Sequence, residues 1–146
     1  SNGKLGGVVI KTASTKASLS FGTAFCSGIM CNFLVCLAVW GAYAAKDMIS
    51  KILIIWFPIM TFVTCGFEHS VANMYFLTAG LFAKSNASFV AASGISQDKI
   101  VSAAGIVHNL IPVTLGNIVG GSVFVGLAYF VVYKYKSVKT KDVAYK

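Results

Sequence analysis

The chain has 146 residues, of which 57% are hydrophobic and only 11% are charged, and its formal net charge is +8. Its mean hydropathy of +0.79 lies far from the values of soluble domains and indicates an all-α, polytopic membrane protein. The basic residues are all lysines. This pattern suits the head groups of a lipid bilayer and argues against nucleic acid, whose binding proteins present arginine and aromatic side chains on a solvated face.

The first apolar segment, which reads FGTAFCSGIMCNFLVCLAVWGAYAA from residue 21 to residue 45, contains no charged residue. A run of this length is sufficient to cross the hydrocarbon core, so we predict a transmembrane helix over about 17–45. Three of the four cysteines, Cys26, Cys31 and Cys36, share no face of such a helix. We therefore expect the cysteines to be reduced packing residues, and we expect no metal.

The second apolar segment, residues 52–83, would be about 48 Å long as a straight helix, which is too long for one untilted span. Pro58 lacks a backbone donor, and Gly66 permits backbone conformations that other residues avoid. We predict a span over about 48–83 that is broken near 59–66, with a second half-helix from about residue 67. Irregular backbone at membrane depth is tolerated only where it is buried in protein or lines a cavity. The break therefore predicts a pathway or a binding site.

The third apolar segment predicts a span over about 103–134. Gly116 and Gly120 are spaced to form a small-residue face, which favours close packing against another helix. The connection 84–100 is expected to contain one short helical turn. Lysines are more numerous in the 46–51 turn and in the tail 135–146 than on the opposite side, which places both on the cytoplasmic side of the cell membrane.

Glu68 and His69 lie side by side near the middle of the second segment. Ionisable groups at membrane depth are costly, and they mark substrate paths, proton relays or cofactor sites. The amides at the start of a half-helix would favour an anion. Glu68 would either secure this N-terminus or contact the substrate, and His69 would line the pathway. Asn73 follows four residues later and would share a helix face with His69.

Another interpretation is a haem-binding or structural subunit of a membrane electron-transfer complex. His69 and His108 lie on successive segments, and two histidines can hold a haem. Their predicted depths differ, however, so we expect no cofactor. We also expect no enzymatic activity, because Ser70 follows His69 directly and no GxSxG-like turn presents a nucleophile.

Three stretches closely resemble the formate/nitrite transporter family: GFEHSVANM at 66–74, NLIPVTLGNIVGG at 109–121 and CNFLVCLAVW at 31–40. The resemblance implies an aquaporin-like fold of two inverted three-helix repeats, with one broken helix in each, assembled as a homopentamer. This chain is similar to the second repeat alone, helices four to six. We therefore expect a separate chain or segment to carry helices one to three, and we do not expect Ser1 to be a natural start.

The resemblance also implies roles for individual residues. The pore residues would be His69 as the central histidine, Asn73, Phe62 at the outer constriction, and Lys16 as a buried positive charge at the start of the first span. The residues that support the broken-helix loop would be Glu68, Asn32, Asn117 and Thr64. The implied function is passage of a small monovalent anion of a weak acid, such as formate, nitrite or hydrosulfide. A proton supplied by His69 or by solvent would let the anion cross as the neutral acid.

Overall fold

The computed structural model describes residues 3–135, and over this range the predicted all-α fold is confirmed. A 3₁₀ turn at Gln97–Lys99 precedes the last helix, and π-helical backbone at Val119–Leu127 and Phe130–Tyr135 continues it. The predicted cytoplasmic tail lies outside the described residues from position 136 onward. The α-helices in chain order are α1 (Lys4–Ala17), α2 (Phe21–Ala44), α3 (Met48–Thr64), α4 (Ser70–Ala83), α5 (Ala87–Ser93) and α6 (Ala103–Ile118).

Two helical stretches are long and apolar enough to cross a membrane. They are α2, with 24 residues, and the 38-residue stretch Gln97–Lys134, which contains the 3₁₀ turn, α6 and its π-helical continuation. These correspond to the first and third predicted spans. The second predicted span corresponds to α3 and α4, two shorter apolar helices of 17 and 14 residues.

The start of the first span differs from the prediction. Residue 17 ends a separate helix, α1, and the Ser20 side chain caps α2 by accepting a hydrogen bond from the Thr23 N–H at 3.3 Å. A serine in this position satisfies one of the free amides at a helix start, which fixes a new N-terminus there. Lys16 therefore lies in the last turn of α1 and not at the start of the first span.

The helix break also lies later than predicted. The prediction of irregular backbone over 59–66 was wrong, because α3 continues through Pro58 to Thr64 and the irregular residues are 65–69. The missing N–H of Pro58 affects the carbonyl one turn earlier, at Ile54. The Thr61 hydroxyl bonds a different carbonyl, that of Phe57, at 2.8 Å. Proline is tolerated within membrane helices, and α3 continues through Pro58.

A glycine ends α3. Gly66 has φ of +68°, in the left-handed region. The Phe67 N–H donates to the Phe62 carbonyl at 3.0 Å, and the Gly66 N–H donates to the Val63 carbonyl at 3.1 Å. This pair of bonds is the Schellman motif, in which a left-handed glycine satisfies the last free carbonyls of a helix. The break is thus set by Gly66, not by Pro58.

The helices pack closely at glycines. Helix α2 lies against α3 and α6, and α1 lies against α4 and α5. At Gly116 of α6 and at Gly120 of the π-helical stretch that continues it, an added side chain would collide with the α2 backbone at Phe25 and Ile29. The predicted small-residue face of α6 is therefore confirmed. Because α2 and α6 approach so closely, side chains of α6 can reach the loop between α3 and α4.

The connection after α4 holds more structure than the single helical turn predicted for it. Both α5 and the 3₁₀ turn at Gln97–Lys99 lie there. Helix α1 packs on α5, and the first residues after the turn reach the core, since Val101 is buried with Ala13 and Leu77. This cluster joins α1, α4 and the start of α6 directly beneath the break.

Candidate functional site

An ion pair joins the end of α1 to the helix break. The Lys16 ammonium lies 2.6 Å from Oε1 of Glu68, and the two side chains are 19% and 4% exposed. The Lys16 ammonium also lies 5.9 Å from the centre of the Phe76 ring. A buried carboxylate needs a charged or hydrogen-bonding partner, because removing it from water is costly. The pair therefore fixes Glu68 in place while Lys16 stays partly accessible.

The second oxygen of Glu68 is held by two amides. Asn73 donates to Oε2 at 2.5 Å, and Asn109 donates to it at 3.3 Å. The hydrogen bonds that the structure gives this carboxylate thus come from side chains. Glu68 does not cap α4, and because both of its oxygens are held inside the protein it has little capacity to contact a substrate. Its neighbour His69 supplies the cap.

His69 is the N-cap of α4. Its Nδ1 accepts from the Val71 N–H at 3.2 Å and from the Ala72 N–H at 3.4 Å. Its ring lies 5.9 Å from the ring of Phe62, at an interplanar angle of 34°. Because Nδ1 accepts these amides, Nε2 is the nitrogen that carries the proton when the ring is neutral. The imidazole can therefore offer an N–H donor on its other side.

The side chains of Asn73 and His69 have different surroundings. The Asn73 N–H donates to the His69 carbonyl at 2.8 Å, which is the first helical hydrogen bond of α4. The His69 ring instead turns toward the Val71 and Ala72 amides. The Asn73 side chain is 1% exposed and donates to Glu68 and Asn109. Its Oδ1 has no hydrogen-bond partner among the described residues.

Two asparagines and a serine hold the loop backbone. Asn117 donates to the Gly28 carbonyl at 2.9 Å and to the Glu68 carbonyl at 3.0 Å, and it accepts from the Ser70 N–H at 2.9 Å. Asn32 acts one step further away, donating to the Asn117 carbonyl at 2.9 Å. The Ser27 hydroxyl accepts from the Glu68 N–H at 3.0 Å. Irregular backbone at this depth is thereby satisfied.

Two of the predicted residues lie apart from this network. Phe62 belongs to the last turn of α3 and not to the break, although its ring still contacts His69. Thr64 ends α3 with an exposed side chain, and the structure gives that side chain no hydrogen bond among residues 3–135. Gly66 and the backbone of α3, rather than Thr64, close the end of the helix.

A cavity of about 470 Å³ opens beside the ion pair. It is lined by two lysines, by four hydroxyl side chains and by one carboxylate, which is already paired with Lys16. A surface with this charge balance attracts small anions. The lining residues are Lys11, Thr12, Thr15, Lys16, Leu19, Thr23, Ser27, Gly66 and Glu68.

The sequence reasoning missed three residues of the site. Ser27 and Lys11 sit on α2 and α1, where the sequence alone does not show which face meets the break. Asn109 lies within an apolar segment, and an amide at membrane depth was a signal that could have identified it.

The two histidines have separate environments. His69 caps α4, whereas His108 is exposed on α6. Among residues 3–135, no group of three or more His, Cys, Asp and Glu side chains is placed to hold a metal ion. The contacts of His69 are those of a helix cap beside a polar cavity, and they give no support to the haem interpretation.

The fold and the site together define a polytopic helical membrane protein whose broken span carries a charged, hydrogen-bonded loop. A sequence model of the family described as Formate/nitrite transporter matches residues 1–131. The chain belongs to the formate/nitrite transporter family.

Named relatives and solved structures agree with this assignment. The chain is 44% identical to the Uncharacterized transporter YrhG of Bacillus subtilis (strain 168) over 91% of its own length and 44% of the relative. It is 42% identical to the Formate channel FocA of Escherichia coli (strain K12) over 90% of its own length and 48% of that relative. A solved structure described as a pentameric formate channel with formate bound superposes with a TM-score of 0.74 at 42% identity, covering 87% of this chain and 52% of that one. The chain thus spans about half the length of the curated relatives it matches.

Proposed function

We propose that the chain forms one half of a membrane channel for small monovalent anions of weak acids. The observation that carries the proposal is the Lys16–Glu68 ion pair, which lies at the helix break on the edge of a cavity with two lysines. Lysine lowers the cost of taking an anion out of water, which is otherwise many kcal/mol. Membership of the formate/nitrite transporter family supports formate or nitrite as the substrate. Hydrosulfide is included in the proposal because it is also a small monovalent anion of a weak acid.

Proton transfer is the second part of the proposal. A bare anion crosses a dry constriction with difficulty, whereas its neutral acid crosses readily. His69 lies beside Phe62 with Nε2 free of the helix cap, so the neutral ring is placed to donate a hydrogen bond to an anion there. To give a proton, the ring must first take one from solvent at Nδ1, which releases the cap amides. The imidazolium can then pass its Nε2 proton to the anion and return to the neutral ring. The pore residues in this proposal are His69, Lys16 and Phe62, and Asn73 acts on the pathway through Glu68.

Assembly is the third part. The matched chain is about half as long as its relatives, and the structural neighbour is described as a pentameric channel. We infer that this half pairs with a segment or chain carrying helices one to three, and that five such units form a homopentamer in the cell membrane. Native mass spectrometry of the assembly should show five copies of each half, and a monomer of residues 1–146 alone would contradict this inference.

Anion flux into proteoliposomes tests the proposed function. The complete assembly is expected to give saturable uptake of formate, nitrite or hydrosulfide above protein-free liposomes, and slower uptake of chloride, which is not the anion of a weak acid. A preparation with a haem absorption spectrum and no anion flux would instead support the electron-transfer alternative. A colourless protein without anion flux would instead support the interpretation as a structural subunit.

A further inference from the structure

Asn109 of α6 connects the three other polar residues beneath the break. Its side chain is 1% exposed. Its Nδ2 donates to the Lys16 carbonyl at 2.8 Å and to Glu68 Oε2 at 3.3 Å, and its Oδ1 accepts from Asn73 at 2.8 Å. Both amide protons and the oxygen are therefore used inside the protein.

The orientation of this amide is fixed by its neighbours. The Lys16 carbonyl and the Glu68 carboxylate can only accept hydrogen bonds, so the nitrogen of Asn109 must face them. Its oxygen is then left to accept from Asn73. A reversed amide would place an oxygen against two acceptors, which buried groups avoid because an unmade hydrogen bond is costly.

We propose that Asn109 is a positioning residue for anion entry, which holds the Glu68 carboxylate beside Lys16 and so sets how much positive charge the cavity offers. This inference rests on the proposed function. Lys16 and Glu68 are in direct contact, so any shift of the carboxylate changes the field at the Lys16 ammonium. Asn109 contacts both residues, whereas it is not among the residues that line the cavity.

A purely structural role for Asn109 gives a different outcome. If it only joined α1 to α6, replacing it would reduce the amount of assembled channel and hence the maximal flux. The concentration of anion at half-maximal flux, the KM, would stay the same. A positioning role changes the KM, because the charge presented to the entering anion changes.

The test uses Asn109→Leu in the complete assembly, reconstituted in liposomes with formate as the probe. Leu is close to Asn in size and adds no charge, but it removes the donor to Glu68 Oε2. This oxygen is then free to compete with the anion for Lys16, so the KM should rise at least about threefold. The matched control is Asn86→Leu, which makes the same change at the exposed N-cap of α5, away from the ion pair. The control should keep the wild-type KM.

The double variant Glu68→Gln/Asn109→Leu separates the effect on the carboxylate from any other effect of Asn109. Without a carboxylate at position 68, its KM should equal that of Glu68→Gln alone. If Asn109→Leu does not assemble, Asn109→Gln, which keeps the amide but displaces it, takes its place in both variants. An unchanged KM in the single variant, or the same rise in KM when the change is made in the Glu68→Gln background, would overturn the positioning role. Absence of saturable flux in the wild type would overturn the proposed function itself, and the inference with it.

Discussion

Glu68 accepts hydrogen bonds from three side chains, Lys16, Asn73 and Asn109. All three are donors, so the carboxylate oxygens are used inside the protein and have little capacity for contact with a permeating anion. His69, one residue later, has the opposite character, because one of its nitrogens is used by the helix and the other is not. The two adjacent residues thus differ in role: Glu68 is held inside the protein, and we propose that His69 faces the pathway.

Replacing His69 separates its two roles. Asn is a good N-cap, so His69→Asn should retain the stability of α4, whereas His69→Ala should lose about 1 kcal/mol of it. Both variants lack the imidazole, so both should lose most of the formate flux and its dependence on pH. Thermal unfolding and flux measured on the same preparations check this. Wild-type flux and pH dependence in His69→Asn would show that the imidazole takes no part in conduction.

The sequence identified the polar pair but not its partners. Charged residues in a long apolar run pointed to Glu68 and His69 without any structure. Whether Glu68 or His69 caps α4 depends on which residue begins the helix. The spacing pattern does not locate a helix start to within one residue. The contact with Asn109 joins positions 41 residues apart, and it exists only because α4 and α6 pack together.

At the scale of helices, the central feature is the way in which α3 stops. Gly66→Ala should destabilise the protein by about 1 kcal/mol, because a left-handed conformation is costly for a residue with a side chain. The matched control is Gly22→Ala. Neither site has any atom within 4 Å of the added carbon, so only the backbone conformation differs. Thermal unfolding in detergent should show a loss for Gly66→Ala alone, and equal effects would contradict the assigned helix end.

Asp47 is the N-cap of α3 and lies exposed in the connection between α2 and α3. The Ser50 N–H, at 2.8 Å, and then the Ser50 hydroxyl, at 2.7 Å, hold the pKa of this carboxyl below its ordinary value of 3.8. A depressed pKa means that the cap stabilises α3 fully above pH 3.8, and that this contribution is lost as the pH falls through the folded pKa. An NMR titration of labelled aspartate should give a midpoint below 3.8, and Ser50→Ala should raise it. A midpoint at the ordinary value in the wild type would be inconsistent with the cap.

The number and type of the apolar helices followed from hydropathy, whereas the position of the break did not. Pro58 is the stronger helix breaker in water, but the α3 backbone continues through it within an apolar segment. Gly66 ends the helix because the Phe62 carbonyl accepts from the Phe67 N–H and the Val63 carbonyl accepts from the Gly66 N–H. The helix end depends on hydrogen bonds with residues one turn earlier, which composition alone does not reveal.

At the scale of the whole molecule, many large apolar side chains are exposed and available for contacts with other partners. No residue of α3 is buried, and Trp56 is 60% exposed. Large exposed apolar surfaces mark contacts with lipid or with other protein. The lipid bilayer and the complementary half are the partners that we propose for them. Hydropathy predicted the membrane class, whereas the proposal of a partner carrying helices one to three rests on the resemblance to longer proteins.

The central claim is that the charge of Lys16 brings anions to the helix break, and formate uptake by the complete assembly in liposomes tests it most directly. Lys16→Met should lower the initial rate at least about tenfold, because the cavity loses its charge beside the break and Glu68 is left unpaired. Lys4→Met, an exposed position at the start of the same helix, should stay within about twofold of wild type, since an exposed charge at a distance is screened. An assembled Lys16→Met channel with the wild-type rate would contradict the account.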